Sequence, residues 1–511
     1  MAGGTSLRAR SRQTDFTKGP IVKPVVLFAI PALLGNIFNA LYNVVDTIVV
    51  GRFVGANALA AVGCCFSITM VCMAVFAGFG AASGVITAQM FGAKQFQKLT
   101  AAVTTAYLGG FLVGGSMIVV GQIIARPLLV LMNTPEAILD MALSYLRIIM
   151  CGFIGQLYYY MGSNMLRGLG DSKRPTYALV ICAILNIILD LVFVVYLDMG
   201  CRGVALATVI SQMLSGIYVV FLIYSGNYGV TMTKKQFRID FGILKMILQI
   251  SIPSSLNRLV TSVGTMIIQS FANSFGETLV AANSIMQKVD QFALLAVNSF
   301  GTALTMFVGQ NMGAREDKRC NEGIRKITVL IIGLSLVVTL ICLAGARLLC
   351  SAFVKEEAVI AMGAEAIRLA ALFYAFHALQ VSLGGVLQGA AATKPIMYIS
   401  FVGIAARVAM CYLFAVRTGH WQGLVWASNG FFLVVSVLYI LYLWKGNWKR
   451  YVRIQKEDPA PSQESEAAEA VEAAVEAIAQ ESEEIAEAAV AAEAAISEIA
   501  EPASEESSRD E

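Results

Sequence analysis

The dominant pattern along the chain is a succession of apolar stretches, each roughly 20 to 30 residues long, separated by short polar turns. A helix needs roughly 20 apolar residues to cross a bilayer core. Twelve stretches qualify: 24–50, 58–90, 99–125, 137–166, 176–197, 203–224, 242–270, 278–310, 324–346, 358–390, 396–416 and 422–444. Period-two alternation is not evident, which argues against a β-barrel. The pattern therefore predicts an all-α membrane protein with twelve transmembrane helices. The first 19 residues contain no apolar h-region, so no cleavable signal peptide is expected.

The pattern repeats itself. Gln89-Met90-Phe91-Gly92-Ala93-Lys94 recurs as Gln310-Asn311-Met312-Gly313-Ala314-Arg315, 221 residues later. Leu146-Arg147 recurs as Ile367-Arg368, and Arg167-Gly168 with Lys173-Arg174-Pro175 parallels Gln388-Gly389 with Thr393-Lys394-Pro395. Gly203-Val204-Ala205-Leu206-Ala207-Thr208 recurs as Gly423-Leu424-Val425-Trp426-Ala427-Ser428. Pro31 and Pro253, the two prolines inside the predicted segments, are 222 apart. Ordered matches at one offset indicate duplication. Six helices per unit is an even number, so both copies sit the same way up. That is the parallel-repeat pattern of transporters, with a substrate path between the lobes. The organisation expected is an N-terminal segment 1–23, six-helix lobes over 24–230 and 231–445, and a tail over 446–511. The paired prolines predict a bend in the first helix of each lobe, because each ring removes a helix hydrogen bond.

Composition agrees: 57% of the 511 residues are hydrophobic and 14% charged, against about 25% charged in soluble domains. The net charge of +3 conceals two unlike parts. Residues 457–511 hold 18 of the 34 acidic residues and one of the 37 basic ones, leaving a strongly basic body. The body's loop cations fall 25 to 6 on alternate sides, which predicts that both termini are cytoplasmic and the protein multi-pass in the cytoplasmic membrane. Ten scattered cysteines and two histidines, without a CxxC pair, do not suggest a zinc or disulfide framework.

An ionisable group inside a membrane helix costs at least about 2.5–3.5 kcal/mol and is functional by default. Asp46 lies near the outer end of the first segment and Asp190 near that of the fifth. Tyr42 and Asn186 each precede one of them by one helical turn, and Thr208 of the sixth segment shares their depth. Two carboxylates in a low-dielectric site cannot both stay ionised cheaply, so the pair can hold and release a proton. The same oxygen-rich set of Asp46, Asp190, Asn186 and Thr208 suits Na⁺, and a static hydrogen-bonded network is the third reading. The second lobe does not repeat the carboxylates: Ile268 or its neighbour stands for Asp46, and Met410 for Asp190. Asp290 is expected to form an ion pair with Arg407 or Lys288 across that lobe, with a substrate or coupling role as the alternative.

These segments resemble the multidrug and toxic compound extrusion (MATE) family of secondary transporters. The resemblance covers about 24–445 and is carried by Ile30-Pro31 through Leu41-Tyr42-Asn43-Val44-Val45-Asp46-Thr47, Val50-Gly51-Arg52, Ala58-Leu59-Ala60-Ala61, the Gln89…Gly92-Ala93 turn, the Leu166-Arg167-Gly168…Gly170-Asp171…Pro175 loop, and Asn186…Asp190 followed by Gly203-Val204-Ala205…Ala207-Thr208. It implies two six-helix lobes in a V shape, and efflux of amphipathic, often cationic compounds in exchange for H⁺ or Na⁺. It assigns the coupling ion to Asp46 and Asp190, supported by Tyr42, Asn186 and Thr208, with Pro31 as the hinge of the first helix. Some members carry a coupling carboxylate on the first helix of the second lobe; this chain has no acid within that helix.

The rival of related architecture is a lipid or lipid-linked sugar flippase, for which Arg258, Lys288, Arg368 and Arg407 would have to form one cationic cavity. No HExxH, P-loop, Gly-x-Ser-x-Gly or GxGD-type segment points to an enzyme. A small-molecule substrate and the lipid bilayer are the expected partners, with no nucleic acid, no cofactor beyond the coupling ion, and a monomeric state. In the tail, Val471, Ile478, Ile485 and Ile499 recur at multiples of seven, but the charge is almost all negative. A disordered or transiently helical segment is expected, with the protein's own basic loops as its target.

Overall fold

The computed structural model describes residues 13–225, 228–230 and 237–454. The readings made above for the acidic tail fall outside them. Fifteen α-helices follow in order among the described residues: α1 Val22–Val49, α2 Ala56–Gly92, α3 Phe96–Leu131, α4 Glu136–Cys151, α5 Phe153–Gly168, α6 Lys173–Asp190, α7 Gly200–Tyr224, α8 Phe241–Asn273, α9 Glu277–Ala293, α10 Leu295–Gly313, α11 Asp317–Ser351, α12 Glu357–Ala371, α13 Tyr374–Gly389, α14 Thr393–Cys411 and α15 Gln422–Trp444. Eight of the spans are long and apolar enough to cross a membrane alone. Three more are bent pairs: α4–α5 by 46°, α9–α10 by 44° and α12–α13 by 47°. The twelfth is α8, with 33 residues. It is long enough to span but carries Lys245, Gln249, Asn257 and Arg258, which lower its hydropathy. The predicted segments 137–166, 278–310 and 358–390 are thus each two helices rather than one.

The duplication is written into the backbone as well as the sequence. Positive φ angles recur 221 residues apart at Gly55 and Gly276, Lys94 and Arg315, Gly170 and Ala391, and Asp198 and Gly419. A π-helical stretch, Leu191–Tyr196, follows α6, and its counterpart Tyr412–Val416 follows α14. This alignment pairs Asp190 with Cys411 rather than with Met410, because each closes its helix just before the π-helical stretch. The symmetry is incomplete: α2 runs unbroken over 37 residues, whereas its counterpart is divided into α9 and α10 at Leu294, and the π-helical stretch Val50–Val54 after α1 has no counterpart after α8 among the described residues.

α1 continues through Pro31 and α8 through Pro253 without a break. A further proline, Pro127, lies inside α3, so Pro31 and Pro253 are not alone within the spans. Near Pro31 the helices touch through polar groups: the Thr176 hydroxyl of α6 lies 2.9 Å from the Pro31 carbonyl oxygen and 2.9 Å from that of Ser172.

The two halves meet through α2 against α8 and, in mirror fashion, α1 against α10. A Cβ on Gly78 of α2 would fall 2.0 Å from Ser255 Oγ of α8. Across the other contact, Asn36 Nδ2 donates to Ser299 Oγ at 3.1 Å. The closest approach is at one end of the bundle, where α2 and α10 cross. A Cβ on Gly92 would lie 1.9 Å from the Gln310 carbonyl oxygen, and one on Gly313 would lie 2.1 Å from that of Gln89. Only glycine permits this crossing.

The segments outside the outermost helices lie over that same end and hold it shut. Phe16 is buried edge-on against Phe28 and Phe307. Its carbonyl accepts from Arg319 Nε at 2.9 Å and Asn311 Nδ2 at 3.2 Å, while Arg319 also donates to the Gly19 and Lys18 carbonyls. On the C-terminal side Trp448 and Ile454 are buried, and Lys449 pairs with Asp317 at 2.8 Å. Residues 446–454, placed with the tail on sequence grounds, therefore pack on the helices.

Two buried glutamines join these straps to the opposite half. Gln310 of α10 donates through Nε2 to the Gly168 carbonyl at 2.9 Å, and its Oε1 accepts from Phe16 N at 2.9 Å. Gln89 of α2 donates through Nε2 to the Gly389 carbonyl at 3.0 Å, and its Oε1 accepts from Arg453 N at 3.0 Å and Ile454 N at 3.3 Å. Each amide thus reaches across the pseudo-twofold axis and grips one terminal strap. The repeat marked both residues in the sequence; their bridging role required the fold.

Candidate functional site

The residues singled out on α1, α6 and α7 converge. Asp190 is fully buried at the last turn of α6, and Asn186 is buried one turn earlier. Asp46 of α1 is partly buried and faces Asp190, with the two carboxyl groups within hydrogen-bonding reach of each other. Oδ1 of each carboxyl lacks a hydrogen-bond partner. Tyr42 lies beside both aspartates and its hydroxyl reaches Thr208.

The orientation of Asn186 decides what the pocket presents. With its amide turned to satisfy both neighbours, Nδ2 donates to Asp190 Oδ2 at 3.0 Å and Oδ1 accepts from the Thr208 backbone N–H at 3.2 Å. The amide oxygen is thereby engaged by backbone, and the pocket receives an N–H. Unlike an oxygen, this group supports a carboxylate but cannot ligate a cation. Among the described residues no group of three or more acidic, histidine or cysteine side chains could hold a metal ion.

A sixth participant was not singled out in the sequence. Tyr145 of α4 is buried, and its phenol lies near Asp46 and Tyr42. It comes from a fourth helix with no intramembrane acid in register, so sequence spacing carried no signal for it. The helix carrying each aspartate passes into a π-helical stretch beyond it, Val50–Val54 after α1 and Leu191–Tyr196 after α6. Such stretches loosen regular helix bonding and recur at functional sites.

The second half is built differently. Asp290 of α9 does not pair with Arg407 or Lys288. It accepts a hydrogen bond from the Tyr374 hydroxyl of α13. The reason is placement: Asp290 is one turn before the α9–α10 break, and Tyr374 opens the helix after the α12–α13 break, so the bond staples two bent spans. Lys288, two positions away and on another face, lies over the Phe353 ring at 5.7 Å. Arg407 of α14 instead lies against α8 and α15, with Nη1 3.5 Å from Thr265 Oγ1 and the guanidinium 5.9 Å from the Phe431 ring. Arg258 sits beside Tyr160 and Arg368 beside Cys350. The four cations that a flippase cavity would have to gather are spread over separate places.

Comparison with known proteins follows the same division into halves. A family model described as MatE matches residues 31–192 and again 253–413. A probable multidrug resistance protein, YpnP of Bacillus subtilis (strain 168), is 28% identical over 446 residues, covering 85% of this chain and 97% of the relative. A probable multidrug resistance protein, NorM of Thermotoga maritima, is 22% identical over 454 residues, covering 86% of this chain and 95% of the relative. Among solved structures, the outward-facing conformation of a multidrug resistance MATE family transporter of the MOP superfamily aligns with a TM-score of 0.80 at 22% identity. It covers 86% of this chain and 99% of that one.

Proposed function

Because the chain belongs to the MatE family, we propose that it is a proton-coupled antiporter exporting amphipathic organic compounds by alternating access. The chain acts as a monomer in the cytoplasmic membrane, with both straps and both termini on the cytoplasmic side. The observation that carries the reading is the pair of facing carboxyls, Asp46 and Asp190, in a pocket whose other groups are an amide, hydroxyls and phenols. A proton shared between the two carboxyls removes their mutual repulsion. Its loss leaves two negative charges facing each other across a low-dielectric gap, and that repulsion acts between α1 and α6. α1 is the element suited to respond, since Pro31 deletes one of its hydrogen bonds and its adjoining carbonyl already leans on Thr176. Among the two candidate ions the proton is favoured over Na⁺, because Asn186 turns an N–H rather than an oxygen toward Asp190.

The test is transport in proteoliposomes with pH and Na⁺ gradients imposed separately. A pH gradient alone is expected to drive uphill movement of an amphipathic dye, and a Na⁺ gradient alone to leave it at the level of protein-free vesicles. The reverse outcome would assign the site to Na⁺. Equal movement with neither gradient would remove coupling altogether.

A further inference from the structure

The duplicated fold places a second polar group, in the C-terminal half, where the first half has its acidic pair, and its charge is opposite. At the 221-residue offset that aligns the backbones, Asn186 corresponds to Arg407 and Asp190 to Cys411. Where α1, α6 and α7 enclose two carboxylates and no base, α8, α14 and α15 enclose a guanidinium and no acid. Among the described residues no carboxylate pairs with Arg407, and the ionisable neighbour that it has is the Cys411 thiol. The nearest candidate acid on sequence grounds, Asp290, is engaged by Tyr374.

The guanidinium is also held in a defined pose. Nη1 lies 3.5 Å from Thr265 Oγ1, a long contact, and that hydroxyl donates onward to the Thr261 carbonyl at 3.1 Å. One turn along α8, Gln269 accepts from Asn283 at 3.1 Å and from Gln287 at 3.2 Å and donates to Asn273 at 3.0 Å, a self-satisfied neutral amide cluster. Nε of Arg407 is buried with no partner. The unspent edge of the fork, Nε with Nη2, is the geometry that accepts two oxygens of one carboxylate or sulfonate. The Phe431 ring supplies an apolar wall beside it. Arg407 is half-buried, and its buried Nε, left without a partner, is costly unless a ligand completes it.

We propose that Arg407 is the anion-binding group of a substrate site in the C-terminal half, and that the amphipathic compounds carried include organic monoanions bearing a carboxylate or sulfonate. A lone fork suits a single acidic group better than a phosphate-rich headgroup, which gathers several cations. This deepens the transport reading and is tested without any gradient, so its failure and the failure of proton coupling are separate results. The resemblance implies cationic substrates, and that is the competing outcome.

Two probes share one fluorophore and differ in charge: dansylglycine carries a carboxylate, dansylcadaverine an ammonium. Binding to the purified full-length protein in nanodiscs is followed by fluorescence polarisation. The wild type is expected to bind dansylglycine more tightly. Arg407→Gln should weaken dansylglycine about tenfold to a hundredfold, the scale of a charge-assisted hydrogen bond, while leaving dansylcadaverine unchanged. Arg407→Lys should fall between, since it keeps the charge and loses the fork. Unaltered dansylcadaverine binding also shows that the variant is folded, and Thr265→Val, which frees Nη1 without removing charge, should weaken dansylglycine to a smaller degree. Preference of the wild type for dansylcadaverine would overturn the proposal, as would equal dansylglycine affinity in wild type and Arg407→Gln. Displacement of dansylglycine by chloride at equal concentration, with gluconate inert, would assign the group to an inorganic anion and overturn the organic-anion reading.

Discussion

Asp190→Asn is expected to reduce pH-driven transport to the level of protein-free vesicles while leaving the protein as stable as, or more stable than, the wild type. The two halves of that result come from one geometry. Asp190 is fully buried, its Oδ1 has no partner, and Asp46 faces it. An amide of the same shape removes the exchangeable proton and, with it, the repulsion that couples α1 to α6. It also removes a buried, incompletely satisfied acid, a group whose presence costs roughly 1–3 kcal/mol. A static network joining α1, α6 and α7 would respond in the opposite way, since weakening its central acceptor should lower stability and spare coupling. Thermal unfolding and dye transport measured on the same preparations separate the two. Asp46→Asn should also abolish pH-driven transport; wild-type rates from that variant would sink the assignment. Loss of stability together with retained coupling in Asp190→Asn would make the pocket structural.

Much of this is legible in the sequence. The twelve spans follow from segment length and apolarity, and the duplication from one offset, because helices must satisfy their backbone internally in lipid and leave a plain hydropathy trace. The convergence of Tyr42, Asp46, Asn186, Asp190 and Thr208 was legible because each pair is one helical turn apart and all share one depth. What escaped were features that depend on tertiary contact. Breaks at Gly152, Leu294 and Leu372–Phe373 carry no proline signal, and the α2 and α9–α10 counterparts differ in continuity although their register is the same. Asp290 was expected to seek a cation, but a Tyr374 hydroxyl delivered by a helix break was nearer. Tyr145 reaches the acidic pocket from a helix whose own acids, Glu136 and Asp140, lie in its first turns and outside the pocket. The offset placed Met410 opposite Asp190 by one residue too few; the π-helical stretches correct it to Cys411.

Replacing both bridging glutamines, Gln89→Ala with Gln310→Ala, is expected to shift the protein from a form closed at the strap end toward one open there. In the closed form each side chain makes one bond to a carbonyl of the opposite half and accepts at least one backbone N–H from a terminal strap. Truncation leaves the Gly168 and Gly389 carbonyls and the Phe16 and Arg453 amides with reduced partners in a buried place, at about 1–3 kcal/mol for each group left unsatisfied. Opening returns these groups to water, so the penalty falls on the closed state. Even about 2.8 kcal/mol alters the ratio of the two forms about a hundredfold. The two glutamines share one helix crossing, so the single variants should not add to the double. Spin labels at Lys94 and Arg315, the paired turns beside the crossing, report the separation by pulsed electron resonance. The wild type should give a dominant short distance and the double variant a dominant long one. Gly313→Leu provides an independent route, because its side chain would drive into the Gln89 carbonyl, 2.1 Å from the position of a Cβ. Unchanged short distances in both variants would show that the straps and glutamines merely decorate a closure set elsewhere, at the α2–α8 and α1–α10 contacts. A shift in both would make the crossing the element whose opening the proton pair, at the far end of α1, has to drive.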